Sequence, residues 1–213
     1  MEPVVSYYKM FFGEQANIIF DVGTRDGDDA KYLQDNLNTK TVYAIEARKD
    51  AAELTKIKYP DFNIINCAVS NYIGTTEFYV IVSDDKDYQG SSSIYNNKFE
   101  RPEYPHKIIS VPVTTMESIL VSTGLNDSTI DIVKVDIEGY TFQFLAGMGD
   151  YIKNVKLFHL ETETFATHEE HVSNEDIASF MRSNGFKLVA KQYEWGEDIE
   201  DQIWINEELC QEF

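Results

Sequence analysis

Residues 18–27, with the sequence IIFDVGTRDG, decide the fold of this chain. The first part is a short apolar run closed by an acid, which is typical of a buried β-strand that leaves the core at Asp21. Gly23 and Gly27 permit a sharp turn and a close approach between the backbone and a ligand. A helix is predicted to begin near Asp28, with its N-terminus facing the same crevice. The stretch therefore predicts the strand, turn and helix that open a βαβ unit with a nucleotide-type site.

The composition of this turn distinguishes it from the phosphate-binding turn of dinucleotide enzymes. After the strand it contains Gly23, Thr24, Arg25, Asp26 and Gly27. The carboxylates of Asp21 and Asp26 would repel a pyrophosphate and attract a cation. The next apolar run, Thr41–Glu46, ends in an acid at the spacing expected for binding ribose hydroxyls. S-adenosylmethionine fits both features, because it carries an adenosine and a positive sulfonium and has no phosphate. The pattern resembles that of class I methyltransferases.

Length and composition predict one α/β domain over residues 1–213, large enough to bury a single core. No apolar run is long enough to span a bilayer, and the start of the chain lacks the basic region of a signal peptide, so a cytoplasmic location is expected. Cys67 and Cys210 lie far apart in the sequence and show no metal-ligand spacing. Reduced thiols are therefore expected.

The charge balance argues against nucleic acid as a partner. The formal net charge is −19, with 37 acids and 18 lysines and arginines. Binding to nucleic acid requires clustered basic side chains that displace counterions. The acidity is interpreted as a highly solvated surface.

The rest of the chain alternates between strand and helix patterns. Residues 1–14 predict an N-terminal helix that covers one edge of the domain, with a partner-binding surface as the alternative. Two predicted strands end at Asp21 and at Glu46. The other predicted strands cover residues 62–66, 75–82, 108–113, 130–139, 155–161, 186–192 and 201–206. The predicted helices cover 28–37, 49–59, 115–123, 140–148 and 174–184, the last with Asn174 as its N-cap.

A long polar loop, residues 83–107, separates two of these strands. Loops of this length are usually functional or disordered. Serines followed by aromatic residues, Ser93 among them, suggest a cover that helps to hold the substrate. A disordered linker is the alternative for residues 84–88.

Two strands end in acids. The stretch 130–139, IDIVKVDIEG, places Asp136 and Glu138 at the carboxyl edge of a buried parallel strand, beside the crevice of the first strand. Lys134 shares a face with Asp136, and a salt bridge between them is favoured over a catalytic role for the lysine.

The following strand ends in Glu161 and Glu163, with His168 and His171 shortly after. Such groups could ligate a divalent metal or act as a base. Because their spacing matches no strong metal motif, no metal site is predicted.

Several blocks together resemble the FkbM family of S-adenosylmethionine-dependent methyltransferases. The matching blocks, in the expected order, are residues 20–23 with Gly27, Glu46, residues 68–70, residues 92–93, residues 113–119 and residues 130–139. The last block is the most specific, since it resembles the family pattern Lys-[Ile/Val]-Asp-[Ile/Val]-Glu-Gly. The family usually continues with Ala-Glu where this chain has Tyr140 and Thr141. This departure puts any role for an acid at position 141 in doubt and is consistent with a different substrate pocket.

The resemblance implies an α/β Rossmann-like fold with a seven-stranded, mostly parallel sheet and an antiparallel last strand. Helices would cover both faces, and extra strands would lie between the third and fourth core strands. It also implies O-methylation of a hydroxyl on a sugar, glycan or small natural product. The expected cofactor-binding residues are Asp21, Gly23, Thr24, Arg25, Asp26, Gly27, Glu46, Ala47, Cys67, Ala68, Val69, Ser93 and Asp136.

Roles within this site follow from the same resemblance. Asp21 and the Gly23 turn would hold the methionine part, Glu46 the ribose, and Cys67 with Ala68 the adenine. The expected base is Asp136 or Glu138, followed by Glu163 and His168. Two alternatives remain at this point: a nucleotide- or dinucleotide-binding oxidoreductase, and a catalytically silent domain that binds the cofactor or a partner. The oligomeric state is not predicted.

Overall fold

The structure is a computed structural model that describes residues 1–82, 92–94, 106–163, 172–194 and 199–210. Its α-helices are α1 (Glu2–Phe12), α2 (Asp28–Leu37), α3 (Lys49–Lys58), α4 (Met116–Ser122), α5 (Thr141–Ala146) and α6 (Asn174–Ser183). Its strands are β1 (Ile18–Val22), β2 (Thr41–Glu46), β3 (Asn63–Asn66), β4 (Ala68–Val69), β5 (Gly74–Ile81), β6 (His106–Thr114), β7 (Ile130–Val135), β8 (Val155–Glu163), β9 (Phe186–Glu194) and β10 (Ile199–Asn206). Two short 3₁₀ helices are Gly149–Asn154 and Glu207–Leu209.

The main sheet has seven strands in the order β3-β2-β1-β7-β8-β10-β9. The first five of these are parallel. The last strand in the chain, β10, is inserted antiparallel between β8 and β9. This arrangement confirms the predicted Rossmann-like methyltransferase fold. The chain winds outward from β1 to β3 and then returns to β7, so a crevice forms where the carboxyl ends of β1 and β7 meet.

The strands between β3 and β7 form a separate sheet. It has three strands in the order β4-β6-β5, with β5 antiparallel to β6 and β4 parallel to it. The extra strands expected between the third and fourth core strands therefore build a second sheet and do not extend the first.

The two faces of the main sheet bury different helices. Ile19, Ile132 and Leu157 stand side by side on β1, β7 and β8, and they pack against α1 and α2. The opposite face, which includes Phe20 and Val133, packs against α4, α5 and α6. Helices thus cover both faces, because side chains alternate along each strand.

A buried carboxylate attaches α1 to the amino end of the sheet. Asp131, at the start of β7, is 2% exposed. It accepts hydrogen bonds from the Tyr8 hydroxyl at 2.5 Å and from the Lys156 ammonium at 2.7 Å. It also accepts from the backbone N–H groups of Asn17 and Ile18, at 2.7 and 2.9 Å. The N-terminal helix is therefore held by a polar contact beneath its apolar packing.

One capping prediction is wrong. The N-cap of α6 is Ser173, whose hydroxyl accepts from the N–H of Asp176 at 3.2 Å. Asn174, the predicted cap, is the first residue of the helix itself. Serine and asparagine are both favoured at an N-cap, so the sequence pattern does not distinguish between these two adjacent residues.

Among the residues that the structure describes, no helix is both long enough and apolar enough to cross a membrane.

Candidate active site at the carboxyl edge of the main sheet

The turn after β1 is held against the neighbouring strand ends. The N–H groups of Gly23 and Thr24 both donate to the carbonyl of Ile45, at 3.0 and 3.1 Å. Gly23 has a φ of 80°, and a Cβ there would lie 1.8 Å from the carbonyl oxygen of Asp136. A side chain at this position is therefore excluded by backbone that follows β7. From the sequence, this glycine is predicted to permit close approach of a ligand. In the structure it also permits close contact between two parts of the backbone.

The second glycine of the turn permits close packing against α3 and the residue after it. Gly27 also has a φ of 80°, and a Cβ there would lie 2.8 Å from atoms of Thr55 and Tyr59. Between the glycines, Arg25 is exposed and adopts a positive φ of 51°. Asp26 lies 3.9 Å from the Arg25 guanidinium and accepts from the N–H of Asp28 at 3.2 Å. The turn is thus closely packed at its two glycines and exposes one cation, the Arg25 guanidinium.

Asp21 lies beneath the turn and has no exposed surface. Its Oδ2 accepts from the buried Thr24 hydroxyl at 2.6 Å, and its Oδ1 lies 3.5 Å from the Lys134 ammonium. Burial raises the pKa of Asp21, and Lys134 opposes that shift. In this structure Asp21 supports the turn, and its contact with the methionine part of a cofactor stays a prediction.

Glu46, at the end of β2, joins two turns. Its Oε2 accepts from the N–H of Arg25 at 3.0 Å, and its Oε1 accepts from the N–H of Arg48 at 2.8 Å. Burial raises the pKa of Glu46 to about 7, although these two hydrogen bonds act in the opposite direction. Beside it, the Asn66 side chain donates to the carbonyls of Glu46 and Ala47. Asn66 is a supporting residue that the sequence analysis did not identify.

The small residues after β3 are buried. Cys67, Ala68 and Val69 are each at most 7% exposed. Ala68, on β4, packs with apolar residues of β5 and β6 within the second sheet, and burial raises the pKa of the Cys67 thiol to about 11. These residues lie next to the carboxyl end of β3, where they could border a flat ring. Their contact with adenine stays a prediction.

The opposite wall of the crevice is formed by charged residues on β7. Lys134 is 4% exposed, and its ammonium lies 3.2 Å from a carboxylate oxygen of Asp136, which confirms the predicted pair. The same ammonium lies 3.2 Å from Asp29 in the first turn of α2 and 3.5 Å from Asp21. A single buried cation therefore contacts three carboxylates from three elements.

Glu138 occupies the turn after β7 in a strained backbone conformation. Its φ is 49°, and the buried Ser93 hydroxyl donates to its carbonyl oxygen at 2.8 Å. Desolvation, followed by the carboxylates of Asp136 and Glu163, raises the pKa of Glu138. Left-handed backbone at a residue other than glycine is often part of a functional site. Ser93, predicted to touch the cofactor, also contacts this turn, and its contact with the cofactor stays a prediction.

The acids of β8 face the same edge. Glu161 is half-buried, and Glu163 is 7% exposed. Desolvation, followed by Asp136, Glu138 and Asp201, raises the pKa of Glu161. One carboxylate oxygen from each of Asp136, Glu138 and Glu161 lies within 4.8 Å of the other two, so these three residues could hold a divalent cation.

Some predicted site residues lie outside the described part of the chain, and one contact was missed. His168, His171 and most of the 83–107 loop are among the residues that the structure does not describe. His159, by contrast, is 6% exposed, and its Nε2 lies 3.4 Å from Asp201. His159 pairs with Lys134 in the sheet register. The alternation along β8 could have placed it on the face of Glu161.

Position 141, where this chain departs from the family pattern, lies behind the acidic edge. The Thr141 hydroxyl donates to the carbonyl of Glu161 at 2.7 Å. Thr141 also lines a small cavity together with Gly139, Phe142 and Glu163. The residue thus connects α5 to β8 next to the acids.

Comparison with solved structures supports the fold. Among the matches are TrmK of M. capricolum in complex with S-adenosyl-homocysteine (TM-score 0.51, 11% identity, 97% of this chain and 69% of that one). Another is methyltransferase FkbM of Methylobacillus flagellatus KT (TM-score 0.52, 12% identity, 93% and 47%). A third is magnesium protoporphyrin IX methyltransferase of Synechocystis PCC 6803 with bound SAM (TM-score 0.54, 9% identity, 96% and 77%). At these identities the similarity concerns the fold.

No curated protein matches the chain. The model of the methyltransferase FkbM domain, however, matches residues 21–188. The match begins at Asp21 and includes Glu46, Asp136, Glu138 and the acids of β8, which are the residues that build the crevice. It covers well over half of the sequence and confirms the resemblance found in the sequence blocks. The chain belongs to the FkbM methyltransferase family.

Proposed function

We propose that this protein is an S-adenosylmethionine-dependent methyltransferase that methylates a hydroxyl on a sugar, a glycan or a small natural product. The observation that carries the proposal is the convergence of the turn after β1, the Glu46 carboxylate and the Asp136–Glu138 turn at one sheet edge. In open α/β sheets the ligand lies at this switch point. Family membership supplies the reaction class.

The chemistry of the edge fits this cofactor better than it fits a dinucleotide. Carboxylates of Asp136, Glu138 and Glu161 line one wall, and Glu46 lies behind the other. A pyrophosphate would be repelled there, whereas a sulfonium and an ammonium would be attracted. Glu46 keeps acceptor capacity for ribose hydroxyls, because within the described part of the chain each carboxylate oxygen accepts a single backbone hydrogen bond.

Bound S-adenosylmethionine supplies an electrophilic methyl group on a positively charged sulfur. The protein must align the acceptor oxygen with that methyl group, and much of the rate can come from this alignment. As the new C–O bond forms, the C–S bond breaks and its electron pair stays on sulfur. The hydroxyl proton must pass to a base, since the oxygen would otherwise carry a positive charge.

We assign the base role to Glu138. Asp136, the other leading candidate, is engaged by the Lys134 ammonium at 3.2 Å. The Glu138 side chain has no ion pair among the described residues, and its pKa is raised by burial and by neighbouring carboxylates. A raised pKa makes a carboxylate a more effective proton acceptor near neutral pH.

A small-molecule or carbohydrate acceptor suits the charge of the protein. The net charge of −19 and the acidic wall of the crevice would repel a polyanion. Some structural neighbours are named as tRNA or porphyrin methyltransferases, which makes an acceptor panel necessary.

The proposal is tested by calorimetric titration of the purified protein with S-adenosylmethionine, S-adenosylhomocysteine and NAD. Binding of the first two, with NAD silent, is the expected result. Glu46→Ala should abolish this binding, whereas Glu53→Ala on the exposed face of α3 is the matched control and should leave it intact. Transfer of labelled methyl to alcohols and sugars, with tRNA as a comparison, then identifies the acceptor. NAD binding alone would make the oxidoreductase alternative primary, and cofactor binding without any transfer would indicate a silent domain.

The affinity for S-adenosylmethionine should fall as the pH is lowered through neutrality. The Glu46 pKa is raised to about 7, and the ionised carboxylate is the better acceptor for ribose hydroxyls. If only the ionised form binds, the dissociation constant should rise about tenfold between pH 8 and pH 6. Calorimetry at several pH values measures this change.

Glu46→Gln provides the control for this pH dependence, because glutamine does not titrate. The variant should bind more weakly at pH 8 but show a flat profile. In the absence of ligand, pH affects the stability of the fold in the opposite direction. The raised pKa of Glu46 in the folded state stabilises the protein at low pH, and this stabilisation is lost as the pH rises through 7. A wild-type affinity that does not vary between pH 6 and 8 would exclude Glu46 as the ribose ligand.

A further inference from the structure

We propose that Lys134 is a positioning residue of the cofactor site. Its ammonium fixes three carboxylates around the crevice and offsets part of their charge, which limits the preference of the site for S-adenosylmethionine over the uncharged sulfur of S-adenosylhomocysteine. This inference rests on the proposed function, because it concerns the same site.

The contacts of Lys134 connect three of the elements that meet at the crevice. Its ammonium lies 3.5 Å from Asp21 at the end of β1, 3.2 Å from Asp29 in α2 and 3.2 Å from Asp136 after β7. The side chain is 5% exposed. Asp21 and Lys134 are also direct neighbours in the sheet register. One side chain thus links Asp21, beneath the turn after β1, with Asp136 in the turn after β7.

Stability alone does not account for a lysine at this position. Below it on the same face of the sheet lie Ile19, Ile132 and Leu157, which are all fully buried. An apolar residue at position 134 with apolar partners would avoid the cost of desolvating buried charges, and such replacements are often neutral or stabilising. The charged group therefore fits a task at the crevice.

That task follows from the local charge balance. Three carboxylates share one ammonium, so the group remains negative and attracts a cation. S-adenosylmethionine carries a positive sulfur, whereas the sulfur of S-adenosylhomocysteine is neutral. A fixed ammonium beside the crevice lowers the attraction for the first ligand and leaves the second nearly unaffected. Without this ammonium, the site would bind S-adenosylmethionine so tightly that the loss of the sulfur charge during methyl transfer would become unfavourable.

The test measures the dissociation constants of both ligands by calorimetry, for wild type and for Lys134→Met. Methionine has a similar length and no charge. We expect the ratio of the S-adenosylhomocysteine constant to the S-adenosylmethionine constant to rise at least about fivefold. Lys134→Arg restores the charge and should return the ratio toward the wild-type value. A purely structural lysine would weaken both ligands equally and leave the ratio unchanged.

A second pair of variants avoids disturbing the core. Asp29→Asn removes a partner of Lys134 whose side chain is 48% exposed, so the fold should tolerate it. The ratio should then fall, because the cation is less well offset. Asp28→Asn is the matched control: it lies in the same helical turn but pairs with Lys58 and Tyr59. Its ratio should stay closer to that of wild type.

The outcomes separate the two proposals. If wild type binds neither ligand, the proposed function fails. If wild type binds both, and neither Lys134→Met nor Asp29→Asn changes the ratio, the function stands and the role of Lys134 is wrong. If Lys134→Met does not fold, the comparison of Asp29→Asn with Asp28→Asn decides, and equal ratios in those two variants overturn the inference.

Discussion

Replacing Glu138 by Gln should slow methyl transfer about 10²–10⁴-fold, which is the usual contribution of a general base. Glu138 lies at the carboxyl edge, in a left-handed backbone conformation supported by Ser93. Desolvation and the carboxylates of Asp136 and Glu163 raise its pKa, which favours proton uptake near neutral pH. Glutamine has the same size but cannot accept the proton. Cofactor affinity, measured by calorimetry, should fall far less than the rate, because Asp136 and Glu161 keep this wall acidic.

The control for this experiment is Glu161→Gln, which makes the same charge change within the same cluster of acids. Steady-state kinetics with the best acceptor should give a much smaller loss of kcat for this variant. A Glu138→Gln enzyme with full activity would refute the base assignment. A larger loss in Glu161→Gln would transfer the role to β8.

Replacing Asp131 by Ala should lower the free energy of unfolding by about 3–5 kcal/mol, the cost typical of removing one member of a buried ion pair. The carboxylate is 2% exposed and receives four hydrogen bonds, from Tyr8, Asn17, Ile18 and Lys156. Alanine would leave these donors without their acceptor and release α1 from the amino end of the sheet. Urea unfolding monitored by circular dichroism measures the loss.

Tyr8→Phe is the graded control for this prediction. It removes one donor to Asp131 and keeps the ring packed between α1 and the sheet. A loss of about 1 kcal/mol is expected, because a single intramolecular hydrogen bond contributes that much. If Asp131→Ala cost no more than Tyr8→Phe, the carboxylate would not be the attachment point of the helix.

The fold was predictable because its elements have strong local patterns. The helix at 28–37 and the strand Thr41–Glu46 have the predicted bounds, since apolar residues recur there with helical and strand periods. Parallel strands that alternate with helices then leave few topologies. The pairing of Lys134 with Asp136 was accessible for the same reason, because the two residues are two positions apart on one strand.

The remaining features depend on contacts between distant parts of the chain. Asp131 receives donors from residues more than a hundred positions away, and its sequence neighbours give no sign of this. Lys134 also contacts Asp21 and Asp29, which only the assembled sheet and α2 bring to it. Ser93, predicted to touch the cofactor, also donates to the carbonyl of Glu138, 45 positions away. A local pattern cannot specify such partners.

The contact between Gly23 and the backbone of Asp136 has a consequence for how the crevice can adapt to different molecules. Because a Cβ at Gly23 would lie only 1.8 Å from the carbonyl oxygen of Asp136, the two strand ends are already in van der Waals contact. The floor of the crevice therefore cannot narrow, and widening it would break the backbone hydrogen bond from the N–H of Asp136 to the carbonyl of Val22, at 3.0 Å. If the acceptor binds beside the small cavity lined by Thr141, Phe142 and Ile177, these rim residues would have to accommodate differences in acceptor size. Changes of acceptor within the family should accordingly track the rim and leave the floor unchanged.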